Sequence, residues 1–265
     1  MFAVRGACSK FVANDGLFLS AGLAFFFLVT MIPLAMVGVS IIGFVMSSEQ
    51  AATAIVDQLA RNFPVYRREI RTVLLRIVET RAVSGGLGTV ILVMSSTPLF
   101  SSARLVLHRM LGIRTARGWV RHFLLDAGMV LIFAVMLFGA IVATWGFHWL
   151  RFLALEPFGS SREGIRITNI VFSIVLSTVM FYLGYRYVPR RHVRVGAALP
   201  GAIVASLLWE LAKQLFSLYI RKVGIYDQIY GPLGVLVAFV MFVYYSAVVF
   251  VFGGAYVAAL DARRR

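Results

Sequence analysis

The sequence predicts an all-α polytopic membrane protein, six transmembrane helices with an amphipathic helical segment between the first and second. Three observations carry that expectation. Hydrophobic residues make up 60% of the chain and charged residues 14%, with a mean hydropathy of +0.88, whereas soluble domains devote about a quarter of their residues to charge. Apolar runs long enough to cross a hydrocarbon core of about 30 Å recur along the chain. The Lys and Arg residues gather in the short connections between those runs. At 265 residues the whole chain, 1–265, reads as one membrane domain with no room for a separate soluble catalytic domain.

The first span, at 17–45, lies in an uncharged run from Gly16 to Ser48. It exceeds a signal-peptide core and has no persuasive small-residue cleavage site after it, so an uncleaved helix is expected. Pro33 removes a backbone donor there and is expected to act as a hinge, which membrane helices tolerate where neighbours re-satisfy the freed carbonyl. Residues 49–81 differ in kind: Ile70, Val73, Leu74, Ile77 and Val78 repeat at i, i+3, i+4, i+7 and i+8 among charged residues, the pattern of an amphipathic helix. Broken at Asn62-Phe63-Pro64, this segment reads as two short helices on the membrane surface or capping the bundle, with a plain solvated hairpin as the alternative. Further spans are expected at 84–104, 125–149, 166–186, 195–219 and 231–260. No heptad, solenoid or low-complexity repeat interrupts this plan.

Six spans put both termini on one side. With the amino-terminus cytoplasmic, that side holds fourteen basic residues: Arg5, Lys10, Arg104, Arg109, Arg114, Arg117, Arg121, Arg186, Arg190, Arg191, Arg194 and Arg263 to Arg265. The opposite side holds eleven, diluted by seven acidic residues. The excess of Lys and Arg in short loops therefore favours cytoplasmic termini, and the expected location is a bacterial inner membrane.

The net charge of +15 invites a nucleic-acid reading, but no RNA- or DNA-binding module accompanies it. Anionic lipid headgroups are the expected partners of basic collars in such positions, and a homo-oligomer is left open. The single Cys8 excludes an internal disulfide framework. His108, His122, His148 and His192 fall in four separate places, so neither a metal nor a cofactor is expected.

The residues that could carry chemistry centre on the fifth span. Glu210 and Lys213 stand three apart, on one helical face and within pairing reach. Charges inside a membrane helix are costly and usually face a bundle interior or a water-filled cavity. Counting about 1.5 Å per residue from Val195 places Glu210 about 22 Å across, in the outer third, with Lys213 near the outer interface. An interfacial salt bridge that locks packing is the alternative. The same face continues through Ala202, Ser206 and Ser217, beside a small-residue row of Ala197, Gly201 and Ala205 that would let a neighbour approach closely and make the fifth span central. On the fourth span Asn169, Ser173 and Ser177 recur every four residues, and Asn169 and Ser173 are expected to face Glu210. Ser95-Ser96-Thr97-Pro98 in the second span reads as a separate hinge in the cytoplasmic third. Gly231 and Pro232 read as a tight turn opening the sixth span.

Leu199-Pro200-Gly201-Ala202, Leu208-Trp209-Glu210-Leu211-Ala212-Lys213, Phe216-Ser217-Leu218-Tyr219, Ile229-Tyr230-Gly231-Pro232-Leu233-Gly234, Tyr245-Ser246-Ala247 and Gly253-Gly254-Ala255 occur in that order. With Ala21-Gly22-Leu23-Ala24-Phe25-Phe26-Phe27 and Ile32-Pro33-Leu34 near the start, the chain resembles the YihY / virulence factor BrkB family of bacterial inner-membrane proteins over essentially its whole length. It departs from that family at Tyr256, where an acidic residue often stands, and at Pro232, where Ser usually follows Tyr-Gly. The family has carried a ribonuclease label and has been linked to virulence, serum resistance and envelope lipid export.

A ribonuclease needs positioned acids and bases or carboxylates that hold metal ions. Beyond Glu210 the spans are almost free of acids, so no enzyme is expected. A transporter or exporter of a lipid or other amphipathic envelope substrate fits better, with Arg104, Arg109, Arg190 and Arg194 recruiting an anionic headgroup. Glu210, Lys213, Ser206, Ser217, Asn169 and Ser173 would then form its path or gate, and Pro33, Pro98, Gly231 and Pro232 its hinges. The alternative is a non-transporting membrane scaffold or envelope-assembly partner.

Overall fold

The computed structural model describes residues 2–45, 81–113, 162–189, 191, 193–223 and 227–263, and every regular element among them is an α-helix. In chain order these are α1 (Phe2–Ala13), α2 (Gly16–Val45), α3 (Arg81–Leu111), α4 (Arg162–Tyr187), α5 (Val195–Val223) and α6 (Asp227–Arg263). Five of them, α2 to α6, are long and apolar enough to cross a membrane. The expected span at 125–149 and residues 49–80 of the amphipathic segment lie outside the described residues.

The first helix was not expected. It forms on a narrow stripe: Ala7 is fully buried, Phe11 sets its ring edge-on to Phe252 at 5.9 Å, and a Cβ on Gly6 would meet Ala259 at 3.5 Å. Lys10 Nζ donates to the Ala258 carbonyl at 3.2 Å, so α1 lies along the last turns of α6. Asp15 then takes a left-handed φ of 52°, which Asp tolerates better than most residues, and its carbonyl accepts the first bond of α2 from Leu19 N at 3.0 Å.

The prolines do not end their helices. Pro33 lies inside α2 and Pro98 inside α3, and these two helices pack side by side over much of their length. Thr30 Oγ1 donates to the Phe26 carbonyl at 2.7 Å and reaches the Ser95 carbonyl of α3 at 3.2 Å. Both bonded residues stand three positions before their proline, so the two weakened stretches are tied to each other. Thr30→Val keeps the shape and removes the tie. The expected loss is about 0.6 kcal/mol, typical of a polar contact between membrane helices, visible as a small fall in the Tm of the detergent-solubilised protein.

Two sequence boundaries need correction. α3 continues to Leu111, because Arg104 and His108 are buried rather than marking an exposed helix end. Ser95 is thus sixteen residues from that end, near the middle of the helix. α6 begins at Asp227, so Gly231 and Pro232 lie within its first two turns rather than in a turn before it. Proline's fixed φ suits a helix, and the donor it lacks is lost near a helix end, where one missing bond disturbs least.

Among the described helices, α6 is the hub: it touches each of the other five, while α5 packs chiefly on α4 and α6. The expectation that the fifth span is central therefore shifts by one helix. Two cores share α6. One gathers Leu23 and Ala24 of α2, Val106 and Met110 of α3, and Val243, Val251 and Ala255 of α6. The other gathers Tyr185 of α4, Ala197 to Ala205 of α5, and Val249 and Val257 of α6, with Leu107 from α3. Small residues set the α5/α6 distance. A Cβ added to Gly201 would collide with Val257, and one added to Gly253 would lie 2.9 Å from Ala205 Cβ. The small-residue row on α5 thus meets Gly253 and Val257 of α6. Exposed Arg109 and Arg194, together with α1 and the carboxyl end of α6, mark what is called here the basic end of the bundle.

Candidate functional site

Glu210 and Lys213 sit near the middle of α5, fifteen and eighteen residues from its first residue. Because the helix runs on to Val223, Lys213 has ten more helical residues beyond it. Lys213 Nζ lies 2.6 Å from Glu210 Oε2. The middle of α4 supplies the third member: Ser173 Oγ donates to Glu210 Oε2 at 3.1 Å and accepts from Lys213 Nζ. One hydroxyl thus serves both charges, giving its single proton to the carboxylate and a lone pair to the ammonium. The Glu210 side chain is 14% exposed and that of Lys213 33%. Mutual neutralisation is what makes two charges tolerable at this depth, since either alone would carry an uncompensated desolvation cost.

One turn and more toward the basic end, Thr178 Oγ1 and Ser206 Oγ meet at 2.7 Å, each also bonded to a carbonyl of its own helix. The α4/α5 seam thus carries two polar steps, the charged one in the less buried half. Beyond Lys213, Gln214 and Ser217 are exposed and extend the polar strip along α5. A second track runs beside it: Phe216 and Phe242 rings are 4.7 Å apart, Phe242 and Trp209 5.3 Å, Trp209 and Phe181 6.5 Å, and Phe181 and Tyr185 6.0 Å. These spacings are those of favourable aromatic pairs. Polar and aromatic tracks side by side make the surface amphipathic across its width.

Of the residues the sequence singled out, Ser173, Glu210 and Lys213 are brought together, and Ser206 joins the neighbouring step. Asn169 is half-buried one turn farther along α4, and Ser217 is exposed. The basic residues divide: Arg109 and Arg194 are exposed, Arg190 lies outside the described residues, and Arg104 is buried at 4% exposure. Arg104 therefore does not stand where a surface headgroup would meet it, because α3 continues past it. Thr178, Gln214 and the ion pair of Arg191 with Asp261, at 2.6 Å, were missed. Thr178 stands one residue off the Asn169, Ser173, Ser177 repeat, and that offset was the available signal. Among the described residues no three His, Cys, Asp or Glu side chains converge as a metal site would require.

These features define a multi-pass α-helical membrane protein with a charged intramembrane step. The chain belongs to the family described as Virulence factor BrkB, which it matches over residues 7–265. It is similar to a UPF0761 membrane protein of Chlorobium chlorochromatii (strain CaD3), 31% identical over 251 residues, covering 94% of this chain and 57% of that protein. Others are UPF0761 membrane proteins of Rhodospirillum centenum (strain ATCC 51521 / SW), 26% identical over 98% of this chain and 58% of that one, and of Xanthomonas campestris pv. campestris (strain B100), 27% identical over 95% and 59%. The chain thus spans under two thirds of the length of these relatives. No solved structure matches it.

Proposed function

We propose that this protein is a transporter or exporter of a lipid or other amphipathic envelope substrate in a bacterial inner membrane, with both termini cytoplasmic. The observation that carries the reading is the pairing of the Ser173, Glu210 and Lys213 step with the adjacent aromatic track. A headgroup exchanges hydrogen bonds with the polar strip while its chains lie against the rings of Trp209, Phe216 and Phe242. Exposed Arg109 and Arg194 attract anionic headgroups to the basic end. Membrane lipids, anionic ones foremost, are the partners, and a second copy of the chain is compatible with the reading. Nuclease chemistry is disfavoured because, among the described residues, Glu210 is salt-bridged to Lys213 rather than set beside another acid, and nucleic acid is not a proposed partner.

A second reading, a scaffold or envelope-assembly partner, draws on the same geometry, since a mutually satisfied pair also locks two helices. The test is movement of fluorescent phosphatidylglycerol across vesicles of phosphatidylethanolamine and phosphatidylglycerol containing the protein. Glu210→Gln is expected to slow it by roughly tenfold, a loss of about 1.4 kcal/mol at the barrier. Unchanged movement, with a lower Tm, would sink the transport role and favour the scaffold.

A further inference from the structure

Burial is distributed unevenly along the described helices. On α4 no side chain from Ile167 to Leu183 is fully buried, yet Tyr185 is, as is Val188 just past the helix end. α5 buries Ala197, Ala202 and Ser206, but between Leu207 and Tyr219 only Ala212. α6 buries Ala238 alone between Leu236 and Phe242, and most of its positions from Val243 to Asp261. Among the described residues, burial is dense at the basic end and sparse beyond Ser206, the half that holds Ser173, Glu210 and Lys213.

The closure has a definite construction. The first lobe, α1 to α3, and the second, α4 and α5, each pack on α6, and α3 reaches the second lobe's core through Leu107 with Leu111 beside it. Leu107 rests on Gly254, where a Cβ would come within 2.7 Å of its Cδ2. Tyr185 crosses from α4 to donate to the Phe250 carbonyl at 3.0 Å. The α4–α5 connection is fastened to the last turns of α6 by the Arg191 and Asp261 pair, whose side chains are 37% and 7% exposed. The Leu107 contact is apolar and breaks no hydrogen bond when it parts, and water reaches the Arg191 side of the ion pair, 37% exposed, while Tyr185 keeps α4 bonded to α6, so the α3 side of this end can exist in two arrangements.

We propose that the basic end is the closed gate of the transport path: Leu107 is its plug and the Arg191–Asp261 pair its clasp, and release of the clasp lets the α4–α5 hairpin part from α3. This rests on the transporter reading. It assigns regulation of access to residues outside the charged step, and it makes the conformation described here the one closed toward the basic end.

The test is thiol accessibility of the full chain in vesicles. Exposed Cys8 on α1 first reports which vesicle orientation presents the basic end, and is then replaced by Ser. In that background Ser206→Cys reports access from the basic end and Gln214→Cys access from the other side, both read with a membrane-impermeant methanethiosulfonate. Ser206→Cys should label slowly from the basic end and roughly tenfold faster once Asp261→Asn and Leu107→Ala are added, a shift a single ion pair and plug can supply. The charge swap Arg191→Asp with Asp261→Arg, retaining Leu107, should return labelling to the slow rate, which an unfolded chain could not do. Labelling that is fast from the basic end in the parent, or unmoved by clasp and plug release, overturns the gate. If labelling behaves as expected while Glu210→Gln leaves lipid movement unchanged, the gating motion stands and the transport reading falls. If lipid movement responds to Glu210→Gln but labelling ignores the clasp, the gate alone is wrong.

Discussion

Gly253→Ala is expected to destabilise the bundle by about 3 kcal/mol, at the upper end of the range for overpacking a tight core. The added Cβ would collide with the Tyr185 hydroxyl and come within 2.9 Å of both Tyr185 Cζ and Ala205 Cβ. None of these can retreat easily. Ala205 is on α5, whose own approach to α6 is fixed one turn away where Gly201 faces Val257. Tyr185 is fully buried, held by its bond to the Phe250 carbonyl and by rings of Phe181 and Phe250 at 6.0 and 5.5 Å. The identity of the clashing atom gives a sharper test than the loss itself. Tyr185→Phe alone removes one hydrogen bond and should cost about 1 kcal/mol. In the Gly253→Ala background the same change removes the worst contact, so the double variant should be more stable than Gly253→Ala alone, with an interaction energy of about 1 kcal/mol or more in a double-mutant cycle. Strict additivity of the two Tm losses would mean that the hydroxyl does not occupy the space above Gly253.

That packing explains what could and could not be read beforehand. The spans were legible because hydrocarbon imposes length and composition on any helix that crosses it. Polar residues recurring every four positions on the fourth span, and charges three apart on the fifth, located Ser173, Glu210 and Lys213, since an intramembrane charge must find a partner and the candidates are few. α1 escaped notice because its twelve residues, FAVRGACSKFVA, are too short and too polar to signal a span, and its burial depends on α6, more than two hundred residues later. The end of α3 was set too early because Arg104 counts as a basic residue of a connection, whereas tertiary packing buries it together with His108. The small-residue row of α5 was visible, but the partner it admits was not. Nothing local pairs Gly201 with Val257, or Arg191 with Asp261 seventy residues away, so the choice of α6 as hub appears only in three dimensions.

Removing one member of the charged pair should cost more than removing both. Lys213→Met leaves the Glu210 carboxylate, 14% exposed, with the Ser173 hydroxyl as its donor across the α4/α5 seam. Stranding one member of a fully buried ion pair costs about 3–5 kcal/mol. Because a third of the Lys213 side chain is accessible, screening lowers the expectation here to about 2–3 kcal/mol. Replacing Glu210 and Lys213 together by Leu removes both desolvation costs and leaves Ser173 free to bond within its own helix, as Thr178 does with the Ile174 carbonyl at 2.7 Å. The double variant should therefore lie within about 1 kcal/mol of the parent. Thermal unfolding in detergent measures the stability side of the cycle, and lipid movement in vesicles measures the functional side. A stable double variant that no longer moves lipid would mean the charges are retained for transport at no benefit to folding. A stable double variant with undiminished movement would reduce the pair to a dispensable helix lock, whereas a double variant as unstable as Lys213→Met would show that the pair is a net contributor to the fold.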